Sequence, residues 1–215
     1  PTYDQDVADV IVKNLKKRKV TTITGAMAKS VKEKAGMQNV EVSVGGEMRT
    51  IAAEKVLVTV GRKPNPMPGI EKTGVKVDRG FIPVDQQLRT NVPHIFAIGD
   101  VAGQPMLAHK ASKEGLVCAE VIAKVPGAVY DVRAMPAVIF CEPELSTVGM
   151  SELEAAKAGI ETIVGIFPFA ALGKSIASQE TDGFVKIIGE KKTGRFIGGA
   201  IVGHESSALI AELAL

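Results

Sequence analysis

The sequence predicts two kinds of fold in succession: an α/β segment of the doubly wound type, then an α+β segment built on an antiparallel sheet. Three observations carry this. An amphipathic helix is followed, after an antiparallel excursion, by Val56–Val60, a short and nearly continuous apolar run of the kind that makes a strand buried on both faces. Ile95–Ile98 is a second short apolar run, ends at Gly99-Asp100 and leads into a helix-compatible stretch. In the last third, Gly183–Gly189 and Arg195–Gly203 flank Glu190-Lys191-Lys192-Thr193-Gly194, which reads as a hairpin.

The elements follow in order. Over Asp4–Lys19, Val7, Val10, Ile11 and Leu15 fall on one helical face. Asp4 and Asp6 stand at its start and Lys16–Lys19 at its end, as the macrodipole favours. The basic run reads as a solvated helix end, with contact to a phosphate as the alternative. Val20–Thr24 is β-rich and stops at Gly25. Val40, Val42 and Val44 alternate with Glu41 and Ser43, Gly45-Gly46 supplies a turn, and Met48–Ile51 can return as the partner strand. Gly61–Gly69 is rich in Pro and Gly and marks a domain boundary. Short strands are expected at Gly74–Val77, Phe81–Val84 and Ile95–Ile98, and a helix over Met106–Lys124, ended by Pro126-Gly127. Ala137–Phe140 and Thr162–Phe169 read as strands. Ser151-Glu152-Leu153-Glu154 is a capping box opening a helix that stops at Gly159. Ser206–Leu215 is helical with an apolar face.

Composition narrows the function. Of the 215 residues, 46% are hydrophobic and 23% charged, an ordinary globular balance. Aromatics are 4% and Trp is absent, which disfavours a stacking surface for single-stranded nucleic acid. The net charge of +2 gives no general pull toward polyanions. No apolar run approaches the roughly 18 residues of a membrane span. Two cysteines, Cys118 and Cys141, form neither a disulfide framework nor a CxxC or CxxxxC motif, which points to a reducing compartment. No targeting segment is visible at Pro1-Thr2-Tyr3-Asp4.

The first sixty residues have the order of the second half of a doubly wound nucleotide-binding domain. The strongest site lies in Thr90–His109. A strand ending in Gly-Asp and followed by a helix start makes a ligand crevice at the carboxyl end of that strand. Gly99 admits close approach to the backbone, the Asp100 carboxylate can accept hydrogen bonds from hydroxyls, and the helix start near Met106, Leu107, Ala108 and His109 offers unpaired N–H groups and partial positive charge. An isolated Gly-Asp is otherwise only a turn. None of His94, His109 and His204 has metal-ligand spacing, and no metal is expected.

Val56-Leu57-Val58-Thr59-Val60-Gly61-Arg62-Lys63-Pro64-Asn65, then Thr90 with Ile95–Asp100, resemble the pyridine nucleotide-disulfide oxidoreductases. Met106-Leu107-Ala108-His109-Lys110-Ala111 with Glu114-Gly115 are similar to the branch that oxidises dihydrolipoyl groups, whereas the glutathione-reducing branch carries Leu-Thr-Pro there. Glu142–Leu145 with Val148-Gly149, and Gly183–Lys186 through Gly198-Gly199 to Gly203-His204, resemble the family's interface domain. The resemblance spans essentially the whole chain.

It implies a flavoprotein with FAD and NAD as cofactors, working as a homodimer on the lipoyl domains of 2-oxo-acid dehydrogenase complexes, in the cytoplasm or, in a eukaryote, the mitochondrial matrix. It implies that Asp100, with Gly99, binds the FAD ribityl chain, and that Met106, Leu107, Ala108 and His109 face the flavin. Gly61 and Met27 would lie near NAD. It divides the chain into the end of an NAD-binding domain (1–62), the closing segment of an FAD-binding domain (63–131) and an incomplete interface domain (132–215). The family's GxGxxG loops, its CxxxxC redox pair and its C-terminal acid-base His and Glu are not among these residues, so no catalytic residue is expected here. The alternatives are a non-catalytic fragment able only to fold and dimerise, and a soluble transhydrogenase of the same family.

Overall fold

The computed structural model describes residues 3–215. They divide into two compact units: Ala8–Gly61, and the residues up to Val7 together with Arg62–Leu215. Helix α1 (Gln5–Lys17) runs through the division at Val7 and carries the expected acidic first turn and basic last turn.

Within the unit 8–61, strands β1 (Ala26–Lys34), β2 (Met37–Val44) and β3 (Glu47–Ala53) form an antiparallel sheet in that order. The β2–β3 hairpin turns at Gly45-Gly46 as the alternation requires, with Val42 opposite Arg49. Two expectations fail here. The β-rich Val20–Thr24 is not a strand; the chain pairs one segment later, through β1, because Ala35-Gly36 provides the tight turn that sets β1 against β2. Val56–Val60 is not a strand either. Its side chains stand in solvent, Leu57 at 86% exposure and Val60 at 95%. An apolar run becomes a buried strand only with flanking strands to satisfy its backbone and layers to cover its faces, and the described residues supply no strand beside it.

In the other unit, residues 70–101 hold little regular structure. Of the expected strands, Gly74–Val77 does not form, and Phe81–Val84 and Ile95–Ile98 reduce to single bridges, Phe81 with Asp78 and Phe96 with Arg89. Tight turns recur every few residues, such as Leu88 N–H to the Asp85 carbonyl and Ile95 N–H to the Val92 carbonyl, and leave no room for a ladder. Helix α2 (Ala108–Ile122) packs Val117 and Val121 against Leu88 and Ala128, with Val84, Phe96, Cys118 and Tyr130 around them.

The last third forms a five-stranded antiparallel sheet in the order β4 (Ala137–Ile139), β5 (Leu145–Gly149), β8 (Phe196–Val202), β7 (Phe184–Glu190), β6 (Thr162–Pro168). The expected β7–β8 hairpin is present, with Lys186 opposite Ala200. Helix α3 (Glu152–Lys157) opens on the capping box: the Ser151 hydroxyl accepts from Glu154 N–H while the Glu154 carboxylate accepts from Ser151 N–H. Helix α4 (Gly173–Ser178), which the hydrophobic pattern does not announce, follows β6. Helix α5 (Ser206–Ala214) lies on β5 and β8 and completes a core of Val148, Phe169, Ile201 and Ile210. Glycine is needed where β8 meets the chain after β5: a Cβ on Gly198 would collide with the Met150 backbone.

Candidate functional site

The site is built on the turn at Gly99-Asp100 and the start of α2. Ile98 is extended and Gly99 takes a φ of 76°, a left-handed conformation that glycine adopts at little cost, which turns the chain into one short helical turn over Gly99–Val101. Two small residues one helical turn apart, Ala111 and Gly115, let the turn lie directly on α2. A Cβ at Gly99 would sit 3.4 Å from that of Ala111, and one at Gly115 3.6 Å from Ile98. Gly99 is buried and the Asp100 side chain projects into solvent.

Helix α2 begins after Leu107 with no side-chain cap. The first hydrogen bond of the helix runs from Ala111 N–H to the Leu107 carbonyl, so the amides of Ala108, His109 and Lys110 have no intrahelical acceptor. Met106 and Leu107 are half-buried beside this end, while Ala108 and His109 are exposed. A cleft of about 920 Å³ passes Pro105, Met135, Thr147 and Phe196 next to it. His109 Nε2 lies 2.7 Å from the Pro136 carbonyl. A carbonyl only accepts, so Nε2 carries the proton and the ring is tied to backbone rather than poised as a base.

Two residues that the sequence motif includes, but to which the sequence reading gave no role, complete the turn. Lys110 and Glu114 continue the buried stripe of Val117 and Val121 along α2, yet both are charged, with side chains only 5% and 4% exposed. Their ammonium and carboxylate are 2.7 Å apart. Glu114 Oε2 accepts the Gly99 N–H at 2.7 Å, and Lys110 Nζ donates to the Gly99 carbonyl at 3.3 Å. The signal was present in the sequence: a Lys and a Glu at helical spacing on an apolar stripe.

A second buried charge was also missed. Lys186 projects inward from β7 beside Ile188 and is wholly buried. Its ammonium donates to Asp4 Oδ2 at 3.1 Å, to Asp6 Oδ2 at 2.9 Å and to Glu152 Oε1. Burial alone pushes the Lys186 pKa down, but the hydrogen bonds that its ammonium donates to Glu152, Asp6 and Asp4 outweigh it and hold the group above the ordinary lysine value. The three carboxylates could otherwise be taken for a cation site; the lysine occupies that place.

Both cysteines are unpaired thiols. Burial pushes the Cys141 thiol up, and its Sγ donates to the Pro143 carbonyl at 3.1 Å. Burial likewise raises Cys118. Neither is held as the thiolate that disulfide exchange needs. Met27 and Gly61 belong to the other unit, 8–61. Met27 is exposed on β1, with Lys29 Nζ 3.2 Å from its sulfur, and Gly61 has a φ of 131° in open space.

An exposed carboxylate on a buried turn, beside an uncapped helix start, can take hydroxyl donors at Asp100 and an electron-rich edge at the Ala108–Lys110 amides. The residues present therefore fit the ribityl and ring portions of a flavin.

Residues 1–115 match the family model described as pyridine nucleotide-disulphide oxidoreductase, and residues 135–215 match its dimerisation domain. The chain is 48% identical over 215 residues to the dihydrolipoyl dehydrogenase of Geobacillus stearothermophilus, covering 99% of the chain and 46% of that protein. It is 44% identical to that of Bacillus subtilis, over 100% of the chain and 46% of the relative. Among solved structures, the HOCl-induced flavoprotein disulfide reductase RclA of Escherichia coli superposes with a TM-score of 0.88 at 27% identity, over 100% of the chain and 49% of that structure. LpdA of Mycobacterium tuberculosis gives 0.86 at 29%, over 100% and 46%. The chain thus spans about half the length of the relatives it matches. It belongs to the pyridine nucleotide-disulphide oxidoreductase family.

Proposed function

We propose that these residues are part of a dihydrolipoyl dehydrogenase. In the net reaction a dihydrolipoyl dithiol closes to a disulfide, NAD accepts a hydride and one proton is released. When bound, FAD supplies the two-electron relay between dithiol and nicotinamide. The present residues bind and orient rather than react. Asp100 accepts hydrogen bonds from ribityl hydroxyls on the Gly99 turn. The amides of Ala108, His109 and Lys110, with Met106 and Leu107 beside them, stabilise negative charge on the ring edge that faces them. Met27 and Gly61 serve the NAD side. Domain limits at 62 and 131 follow from the same reading, as do a homodimer formed through the interface domain, lipoyl domains of 2-oxo-acid dehydrogenase complexes as partners, and a cytoplasmic location. No helix of the described residues is long and apolar enough to cross a membrane.

The observation that supports this most is the Gly99-Asp100 turn seated on the open start of α2. The test is the full-length protein that carries this segment, purified and assayed for bound flavin and for dihydrolipoamide-dependent reduction of NAD. Stoichiometric FAD and NADH formation are expected. Electron transfer between NADPH and NAD without any response to dihydrolipoamide would establish the transhydrogenase instead.

A further inference from the structure

We infer that Lys110 and Glu114 are positioning residues that clasp the Gly99 peptide and so set where the Asp100 carboxylate stands relative to the first turn of α2. The inference rests on the reading of that turn as a flavin site and adds to it the residues that aim it.

The argument begins with the cost of the pair. Both side chains occupy the stripe of α2 that otherwise buries Val117 and Val121. Leucine at either position would bury as well, without the desolvation of two ions, so the pair is no net help to packing. An apolar pair could not, however, bond a backbone donor and a backbone acceptor of one residue together. Gly99 presents both. Its left-handed φ turns its amide away from any ladder, its carbonyl closes the short turn by accepting from Ala102 N–H at 3.0 Å and keeps a second lone pair to offer, and the strand expected before it has only the Arg89–Phe96 bridge. The Glu114 carboxylate takes the N–H at 2.7 Å and the Lys110 ammonium takes the carbonyl at 3.3 Å. The 2.7 Å contact between the two side chains ties the halves of the clasp together and neutralises both charges. Lys110 and Glu114 are one helical turn apart on α2, and the first belongs to the turn whose free amides form the other wall of the site. The clasp therefore links the two parts of the site through one rigid helix. The Asp100 carboxylate, next in the chain, stays exposed and has no partner among the described residues. It is free for a ligand while its backbone is not free to move.

The clasp depends on where the acceptor atom sits more than on its charge. Glu114→Asp keeps the charge and withdraws the carboxylate by one methylene. Glu114→Gln loses the charge and keeps an oxygen at full reach. In the full-length flavoprotein, stripped of flavin and retitrated with FAD, Glu114→Asp is expected to raise the dissociation constant about tenfold or more, the worth of one hydrogen bond to a charged group. Glu114→Gln is expected to stay within about threefold of the parent. The visible circular dichroism of the bound flavin should shift in Glu114→Asp alone, whereas apoprotein melting should fall more in Glu114→Gln, which leaves the Lys110 ammonium buried without its counter-ion. The reverse order of affinities, equal losses, or no loss in either overturns the clasp. A route independent of how Glu114→Asp folds is the double variant Lys110→Met with Glu114→Leu, which removes both buried charges together and both bonds to Gly99. About a tenfold loss of FAD affinity supports the clasp, and retention within about threefold overturns it. Asp100→Ala is measured alongside. Loss there with no loss in Glu114→Asp overturns the clasp alone, whereas no loss in either overturns the reading of the site as well.

Discussion

Replacing Lys186 by methionine keeps an unbranched side chain of similar length in the core and removes its charge. The ammonium is wholly buried and contacts Asp4, Asp6 and Glu152, whose carboxylate oxygens come within 4.8 Å of one another. Without the cation these three acids face each other with no positive charge between them. Breaking a buried ion pair by deleting one partner costs about 3–5 kcal/mol. Here Asp6 and Glu152 keep 38% and 41% of their side-chain surface in water, which screens part of the repulsion, so the lower end of about 3 kcal/mol is expected. For a chain of this size that is a fall of about 6–12 °C in melting temperature. The measurement is thermal and urea unfolding followed by circular dichroism, with Lys186→Arg as a charge-retaining control. Adding Asp6→Asn to Lys186→Met should restore part of the loss, because it removes one of the facing charges. A loss below about 1 kcal/mol in Lys186→Met would refute the reasoning, since it would mean the acids are solvated well enough not to need the lysine.

Asp100→Ala in the full-length protein should weaken FAD retention about ten- to a hundredfold, from the loss of a charged acceptor; unchanged flavin content after dialysis counts against its role. The Asp4 carboxylate gives a pH dependence. Burial raises its pKa, but the Glu152 amide, Lys186 and the Leu153 amide outweigh burial and hold it below the ordinary aspartate value. A carboxyl depressed in the folded state stabilises above the ordinary value and loses that contribution as pH falls through the folded one. Urea midpoints should therefore drop below about pH 4, and Asp4→Asn should flatten the drop. Ser151→Ala removes the hydroxyl that caps α3 and should cost about 1 kcal/mol in the same unfolding assay, with Ser151→Thr largely silent. The 215-residue chain purified alone should show neither flavin absorbance nor dihydrolipoamide activity, because the family's GxGxxG loops are not among its residues and its two thiols are not a redox pair; one FAD retained per chain would disprove this.

What could be read from the residues was local. The α3 capping box, the β7–β8 hairpin, the Gly45-Gly46 turn and the span of α2 each follow from contacts a few positions apart, where spacing states the geometry. The Gly99-Asp100 turn before a helix start was legible for the same reason, and the family motifs around it are what the proposal of a flavin site rests on. Val56–Val60 shows where such reading ends. Its composition is that of a buried strand, but burial and a ladder are supplied by other segments, and here it lies exposed. Val20–Thr24 and the bridges near Phe81 and Phe96 failed likewise, because pairing is decided between segments rather than within one.

The sequence by itself determined the family, the α3 capping box, the β7–β8 hairpin and the span of α2, since these depend on periodicity, turn chemistry and short motifs. Only the tertiary structure decided what holds the site and the sheet in place. Lys110 and Glu114 meet the backbone of a residue eleven and fifteen positions earlier. Lys186 meets Asp4 across 182 positions. A charge in an apolar stripe marks itself as unusual in the sequence, but its partner is whichever group the fold brings to it, because an ion leaves water only where an opposite charge or a hydrogen bond replaces the hydration it loses.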